Sequence, residues 1–299
     1  MLRTSLYLTK EALYAVVGQM KGNKLEICGC QVYPLPKNSL ARGETPDPAA
    51  VREAVLGARK LAEPCRKADL LLENELVALR TMIVPRMKKK QLTEFVRMEL
   101  SRFRGFGEDS LFAYSIVEKQ KSGFRILAGA MKRRVAEGYM DAFSHWGIQV
   151  TSMAPALDGL SGLVGFLPEL REQNALLVLK EDREHVTLAA FKSGVYQESN
   201  QLYCEGGVNT ARNRKLIMGQ IAAFQCLGEI ESGENGLDRV VLCGRWKEEE
   251  PIWAELKEKL DTRICFLEDS GCVAVKEAAK NKYSLSEFCC ATGNLLRRR

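Results

Sequence analysis

Met82-Ile-Val-Pro85-Arg-Met-Lys-Lys-Lys-Gln-Leu-Thr-Glu-Phe95-Val-Arg97-Met-Glu99-Leu-Ser-Arg-Phe103-Arg-Gly-Phe106 is the stretch on which the reading of this 299-residue chain turns. An apolar, β-branched run stops at Pro85, which has no N–H to give to a ladder, so a strand ends there. Leu92, Phe95, Val96, Leu100 and Phe103 then recur at three- and four-residue spacing, which predicts a helix with one buried stripe. Arg97 and Glu99 fall off that stripe, and Gly105 ends it.

Downstream, 111–118 and 124–131 predict a hairpin around Lys121-Ser122-Gly123. A second helix carries Val135, Tyr139, Ala142 and Trp146 on one face and stops at Gly147, with His145 in its last turn as a capping or surface residue. Strand, helix, hairpin, helix together predict a small α+β module over 76–150.

Upstream, 3–8, 13–20 and 24–33 read as three strands, the last two joined at Gly22-Asn23, a hairpin dipeptide. Asp47-Pro48 opens a helix through Val51, Ala54, Val55, Ala58 and Leu61, and 68–72 is a buried strand. Beyond the module, 155–167 reads as a helix and 175–180, 185–191 and 195–202 as another three-strand meander. A helix at 210–230, a strand at 239–243, a helix at 253–260, a strand at 262–267 and a helix at 284–296 complete the chain. Meander, helix, strand thus occurs twice, about 170 residues apart, as a duplicated lobe would show. The expected divisions are 1–75 with 151–168 as a first lobe, 76–150 as an insert, and 169–299 as a second lobe with a helical, variable part at 205–238.

Composition is that of a soluble globular protein, 46% apolar and 27% charged. Forty-four basic and thirty-eight acidic residues leave +6, too mild a surplus to point to nucleic acid. No apolar run approaches the ~20 residues of a membrane span, and no signal peptide is evident, which predicts a cytoplasmic chain. The ten cysteines lie mostly at apolar strand and helix positions, among them Cys28, Cys30, Cys226 and Cys243, without the pairing or accompanying histidines of a zinc site. Nearly all are expected to be reduced and protected from labelling, which also argues against a cysteine nucleophile.

A strand ending in Val-Pro, a polar turn and a helix reading Val96-Arg97-x-Glu99…Phe103…Phe106 resembles the type IV pilus assembly protein PilM family. Met98, Arg104 and Gly105 stand where that family carries Trp, Ile and Pro. Leu35-Pro36, Gly43-Glu44, Asp47-Pro48, Gly147-Ile148 and the closing Ala291-Thr292-Gly293-Asn294-Leu295 are similar to further family motifs in the same order. The resemblance implies an α/β, bilobal actin-like ATPase fold (FtsA-like, a duplicated ribonuclease H-like unit) with a small α+β insert. It also implies a cytoplasmic adaptor, associated with the inner face of the cell membrane. Such an adaptor grips the cytoplasmic N-terminal peptide of a PilN-type inner-membrane partner and couples it to pilus assembly motor components. The peptide would lie between the first lobe and the insert, against 79–84 and 92–103, with Arg86, Arg97, Glu99 and Phe103 as candidate contacts. A local ion pair is the alternative role for Arg97 and Glu99. Three basic triplets, Lys88-Lys89-Lys90, Lys132-Arg133-Arg134 and Arg297-Arg298-Arg299, would assist membrane association without anchoring the chain.

In that family the first hairpin resembles Ile-Asp-Ile-Gly-Ser…Lys, cradling phosphate and metal-bound water. Here Tyr7 stands for the Asp, Thr9 for the Gly and Tyr14 for the Lys. Val178-Leu179-Lys180-Glu181-Asp182 replaces the second Asp-Ile-Gly, and Gly244-Arg245 the adenosine-side Gly-Gly. With both carboxylates displaced, Mg²⁺ loses its hard-oxygen anchors, and Thr9 at a corner needing positive φ would carry roughly 1–2 kcal/mol of strain. The expectation is a pseudo-ATPase without a required cofactor. Lys180 and Asp182 leave weak ATP/Mg binding open, and an active ATPase or small-molecule kinase is the competing reading.

Overall fold

The computed structural model describes residues 1–37, 40, 46–63, 66–102, 105–232, 237–260, 263–268 and 270–297. Cys65, Phe103, Arg104, Thr262, Arg298, Arg299 and the Gly43-Glu44 connector lie outside the described residues.

Two sheets repeat one topology. In the first, β1 (Arg3–Leu8), β2 (Ala12–Lys21) and β3 (Lys24–Pro34) form an antiparallel meander. α1 (Pro48–Leu61) then leads to β4 (Lys67–Leu72), parallel to β1. The Asp47 carboxylate accepts the Ala49 N–H at 3.0 Å, and Pro48 occupies the first helical turn, so this end caps as its sequence predicts.

The insert is β5 (Ala78–Pro85), α2 (Lys89–Ser101), β6 (Ser110–Lys119) and β7 (Gly123–Lys132). Its three strands are ordered β5-β7-β6, all antiparallel. Leu92, Val96 and Leu100 of α2 meet Ile126, Ala128 and Ala130 on one face of this sheet, forming a small core of their own.

α3 (Arg133–His145) departs from the expected module. Its buried face, Val135, Ala136, Tyr139, Ala142 and Phe143, packs with α1 under the first sheet. It is the crossover that returns the chain to β8 (Gln149–Pro155), which pairs with β4 as a parallel edge strand.

α4 (Ala156–Phe166) and the short α5 (Pro168–Arg171) lead into the second sheet. There β9 (Ala175–Lys180), β10 (His185–Lys192) and β11 (Val195–Tyr203) form the second meander. α6 (Ala211–Ser232) follows, and β12 (Arg239–Gly244) pairs parallel to β9. α7 (Glu250–Lys259) and β13 (Arg263–Phe266) complete the order β11-β10-β9-β12-β13. That order matches β3-β2-β1-β4-β8 of the first sheet strand for strand.

The C-terminal segment, expected with the second lobe, returns to the first. β14 (Val273–Val275) pairs with β3. Beyond α8 (Glu277–Lys280), α9 (Cys289–Leu296) lies against α4 and β1. Arg3 donates to the Leu295 and Arg297 carbonyls at 2.6 and 3.0 Å and pairs with Asp69 at 2.8 Å. Asn294 Nδ2 donates to Ser5 Oγ at 3.0 Å. α4 and α9 are apolar on most sides because one continuous core surrounds them, reaching from Val16 and Ile27 of one sheet to Leu177 and Val241 of the other.

Of the nine described cysteines, Cys30, Cys204, Cys243, Cys289 and Cys290 are buried, and burial raises the Cys30 and Cys204 thiols to about 11. Cys28, Cys265 and Cys272 are half-buried. Cys226 is exposed, contrary to the expected protection: it lies on α6 off the stripe of Ile217, Ile221 and Phe224. His145 ends α3, its ring edge-on to Trp146 with centroids 4.6 Å apart. Among the described residues no helix is long and apolar enough to cross a membrane.

Candidate functional site

Two places are candidates: the cleft between the two meanders, and a groove between insert and first lobe. Of the seven positions aligned with nucleotide-binding corners, Tyr7 and Tyr14 join the core between the two sheets, while Val178 is buried on the far face of the second sheet. Tyr7 is buried and stacks on Tyr14, with centroids 5.8 Å apart, and Tyr14 meets Phe288 edge-on at 5.9 Å. Burial raises the pKa of both phenols, so both keep their protons at neutral pH. Tyr7 Oη lies 3.5 Å from Glu181 Oε2, which links the first meander to the second.

Thr9 is not strained. Among the described residues Ser193 is the one non-glycine with positive φ. Thr9 instead closes its turn with its own hydroxyl, which accepts the Glu11 and Ala12 N–H groups at 3.3 and 3.1 Å. The local hydrogen bonds of a threonine supply what a glycine corner would have left to phosphate.

The second corner is likewise occupied by protein groups. Glu181 receives the Asn74 N–H at 3.0 Å, Asn74 Nδ2 at 3.1 Å and the Thr187 hydroxyl. Asn74 Oδ1 in turn accepts the Leu157 N–H at 2.9 Å, so one amide ties the end of β4, the start of α4 and the second hairpin together. Glu11 Oε1 accepts the Arg183 N–H at 3.2 Å, joining the two hairpin turns directly. Lys180 pairs with Glu249, which also receives Asn209. Gly244 (φ +88°) lies against the Lys180 backbone, and buried Trp246 donates its indole N–H to the Val178 carbonyl at 2.8 Å. Arg245 reaches Glu248 and lies beside Tyr14.

A charged cluster borders this network along a cavity of about 150 Å³. His185 sits between Asp182 (2.8 Å) and Glu75 (3.1 Å), and Glu75 also pairs with Lys10. Burial opposes charge on His185, but hydrogen bonds to the two carboxylates outweigh it and lift its pKa to about 10. Burial likewise opposes ionisation of Glu75, yet His185 and Lys10 hold it down to about 2. Glu73, buried beside Glu181 and Asp182, is pushed the other way, well above the usual carboxylate range.

A histidine whose pKa is raised on folding contributes stability in full below its unfolded value near 6.5 and loses it as pH rises through about 10. His185→Gln is therefore expected to destabilise the chain by about 3 kcal/mol near pH 6, since it leaves the buried Asp182 without its cation and Glu75 with Lys10 alone. The gap from wild type should close as pH rises through 10. Denaturant melts between pH 6 and 10 measure this, and a gap that stays constant would refute the assignment.

The groove lies on the other side of the insert sheet from α2 and has a volume of about 390 Å³. Leu111 to Ser115 of β6, with Leu79, Leu127 and Gly129, form one wall. Leu72, Met153 to Pro155 and Ala136 of the first lobe form the other, and Asp158 and Arg297 also line it. β6 is an edge of the insert sheet and β8 an edge of the first sheet. Each therefore presents a row of backbone groups unpaired within its sheet among the described residues.

Of the proposed wall, Leu79 lines this groove while Leu92 is consumed in the insert's own core. Among the described residues Arg86 reaches the Gln120 carbonyl, at 3.4 Å in the turn. Arg97 is exposed on α2, and Glu99 pairs with Arg102 at 2.6 Å rather than with Arg97. None of these three lines the groove.

Asn74, Thr187, His185, Asp158 and the groove-facing residues of β6 escape sequence reasoning. Only the Glu73-Asn74-Glu75 run closing an apolar strand carried a signal, as polar residues at a strand's carboxyl end do in open α/β sheets.

No protein-family model matches the chain, and no curated protein matches it. Solved structures do. A chain of a PilM–PilN type IV pilus biogenesis complex superposes with TM-score 0.78 at 18% identity, covering 99% of this chain and 98% of that one. A Bacteroides thetaiotaomicron protein with actin-like ATPase fold gives 0.59 at 10% identity, over 99% and 96%. The cytoplasmic domain of EpsL, an inner-membrane component of the Vibrio cholerae type II secretion system, gives 0.57 at 12% identity, over 100% and 97%. Together with the repeated strand order, these likenesses show a bilobal α/β fold of the actin-like ATPase type, related to that of the PilM–PilN complex.

Proposed function

We propose that this chain is a non-catalytic scaffold of type IV pilus or related secretion assembly. In this reading it works in the cytoplasm, peripheral to the inner membrane, and grips the cytoplasmic N-terminal peptide of a PilN-type partner. The observation that carries the reading is the groove, an apolar channel bounded by two strand edges. An extended peptide entering it gains main-chain hydrogen bonds from an edge and pockets for alternate side chains, the mode known as strand addition. The likeness to a PilM–PilN complex supports the same partner class, and pilus assembly motor components would contact other faces.

Capture of a PilN-type N-terminal peptide by the purified chain tests this. Binding should survive Arg97→Ala, since Arg97 lies off the groove. Failure of the wild-type chain to capture any such peptide would remove the proposal.

The non-catalytic half of the reading rests on what fills the cleft. Tyr7, Asn74, Thr187 and Glu181 bond to one another, Glu249 takes up Lys180, and Glu11 closes on Arg183. A triphosphate would have to break these contacts before making its own. Calorimetric titration with ATP and Mg²⁺ at millimolar concentration is expected to give no saturable heat and no phosphate release. Turnover would favour the competing reading, an active ATPase or small-molecule kinase.

A further inference from the structure

Asp158 and Arg297 are the charged residues among those that line the mostly apolar groove. Asp158 is in the first turn of α4, its carboxylate 3.0 Å from Arg297 Nη2. Burial raises its pKa, and Arg297 offsets that only in part. Arg297 follows α9 and also donates to Asn294 Oδ1 at 3.2 Å. The two side chains keep 23% and 30% of their surface in water, which a strand laid in the groove would remove.

The two charges differ in freedom. Asp158 has a short side chain fixed on a buried helix and cannot leave the wall. Arg297 has a long one and can carry its guanidinium to solvent while its methylenes stay against the protein. The charge that stays with the wall is therefore the carboxylate. Covering a carboxylate costs free energy unless a donor replaces the lost water.

We propose, resting on the peptide-groove reading above, that this end of the groove is a cation-accepting subsite. A Lys or Arg side chain of an extended, otherwise apolar peptide meets Asp158 and displaces Arg297 from it. The subsite thus sets the chemistry of the occupant: a strand with apolar side chains at alternate positions and one basic residue placed to reach α4.

The test uses the full chain and an array of acetylated ten-residue peptides alternating Leu with Ser. Arg, its neutral isostere citrulline, or Glu is moved through each position, and binding is read by fluorescence anisotropy. At one position Arg is expected to bind at least about tenfold tighter than citrulline, and Glu weaker still. Asp158→Asn should abolish that difference, and Arg297→Ala should tighten the Arg peptide by removing its internal competitor. Because the comparison between peptides needs no variant, misfolding of either variant leaves it intact. Equal binding of Arg and citrulline peptides at every position would overturn the subsite and leave the groove standing. A preference for Glu would overturn it in favour of Arg297 as the reader. Binding by no peptide at all would sink both the subsite and the groove.

Discussion

Gly293→Ala is expected to destabilise this chain by more than about 3 kcal/mol, the range of severe overpacking. α4 and α9 cross with glycines at the contact. A Cβ on Gly293 would run into the Gly159 carbonyl, and one on Gly162 would stand 2.6 Å from the Gly293 oxygen. Both obstacles are main chain, so no side chain can swing aside to make room. The helices would have to separate, opening the continuous core that joins the two sheets. For a chain of this size the melting temperature should fall by at least about 5 °C. Gly165→Ala on the same helix is the control, because a Cβ there meets nothing within 4 Å. Removing backbone freedom at that position should raise stability slightly. If Gly293→Ala melts within a degree or two of wild type, the close crossing described for α4 and α9 is wrong.

Ala113→Trp should reduce capture of a PilN-type peptide by about a hundredfold, the loss of some 2.7 kcal/mol of binding free energy. Ala113 is exposed on β6, at the groove wall and outside the insert's core. An indole there occupies the channel without disturbing a packed neighbour, so the melting temperature should stay where it was. Paired with Arg97→Ala, which should bind as wild type does, the variant locates the contact on one face of the insert. The reverse outcome, loss with Arg97→Ala and none with Ala113→Trp, would move the contact to α2.

Much of the architecture is legible in the residues because both meanders are buried deeply enough to leave apolar runs, as in Leu70 to Leu72 and Leu176 to Leu179. The order of strands and the Gly22 turn follow from local chemistry. What periodicity cannot say is which partner a buried stripe meets. Val135, Tyr139 and Ala142 announce a buried face, yet nothing in their spacing distinguishes the insert from the first lobe. β14 is three residues long, too short to show a period, and its pairing with β3 spans most of the chain.

The site was harder to read for a related reason. The α2 stripe looked like a wall for a partner, but a stripe wide enough to dock a peptide is equally wide enough to build the insert's own core, and it does the latter. The groove instead uses residues of β6 and β7, two strands whose sequence predicts an ordinary hairpin. Thr9 shows the same limit at one position. A residue that clashes with a family's backbone geometry can adopt a different geometry, and here its hydroxyl makes that turn self-sufficient.

The return of β14 and α9 to the first sheet bears on biosynthesis. β1 to β4 are synthesised well before α9, and the face of their sheet that α9 covers stays open until it emerges, with Asn294 for Ser5 and the Leu295 carbonyl for Arg3. Lobe-by-lobe maturation during translation, the usual course for multidomain chains, is closed to this one. The α1 and α3 side of the first sheet has its own core and can close earlier, while the opposite face waits for α9.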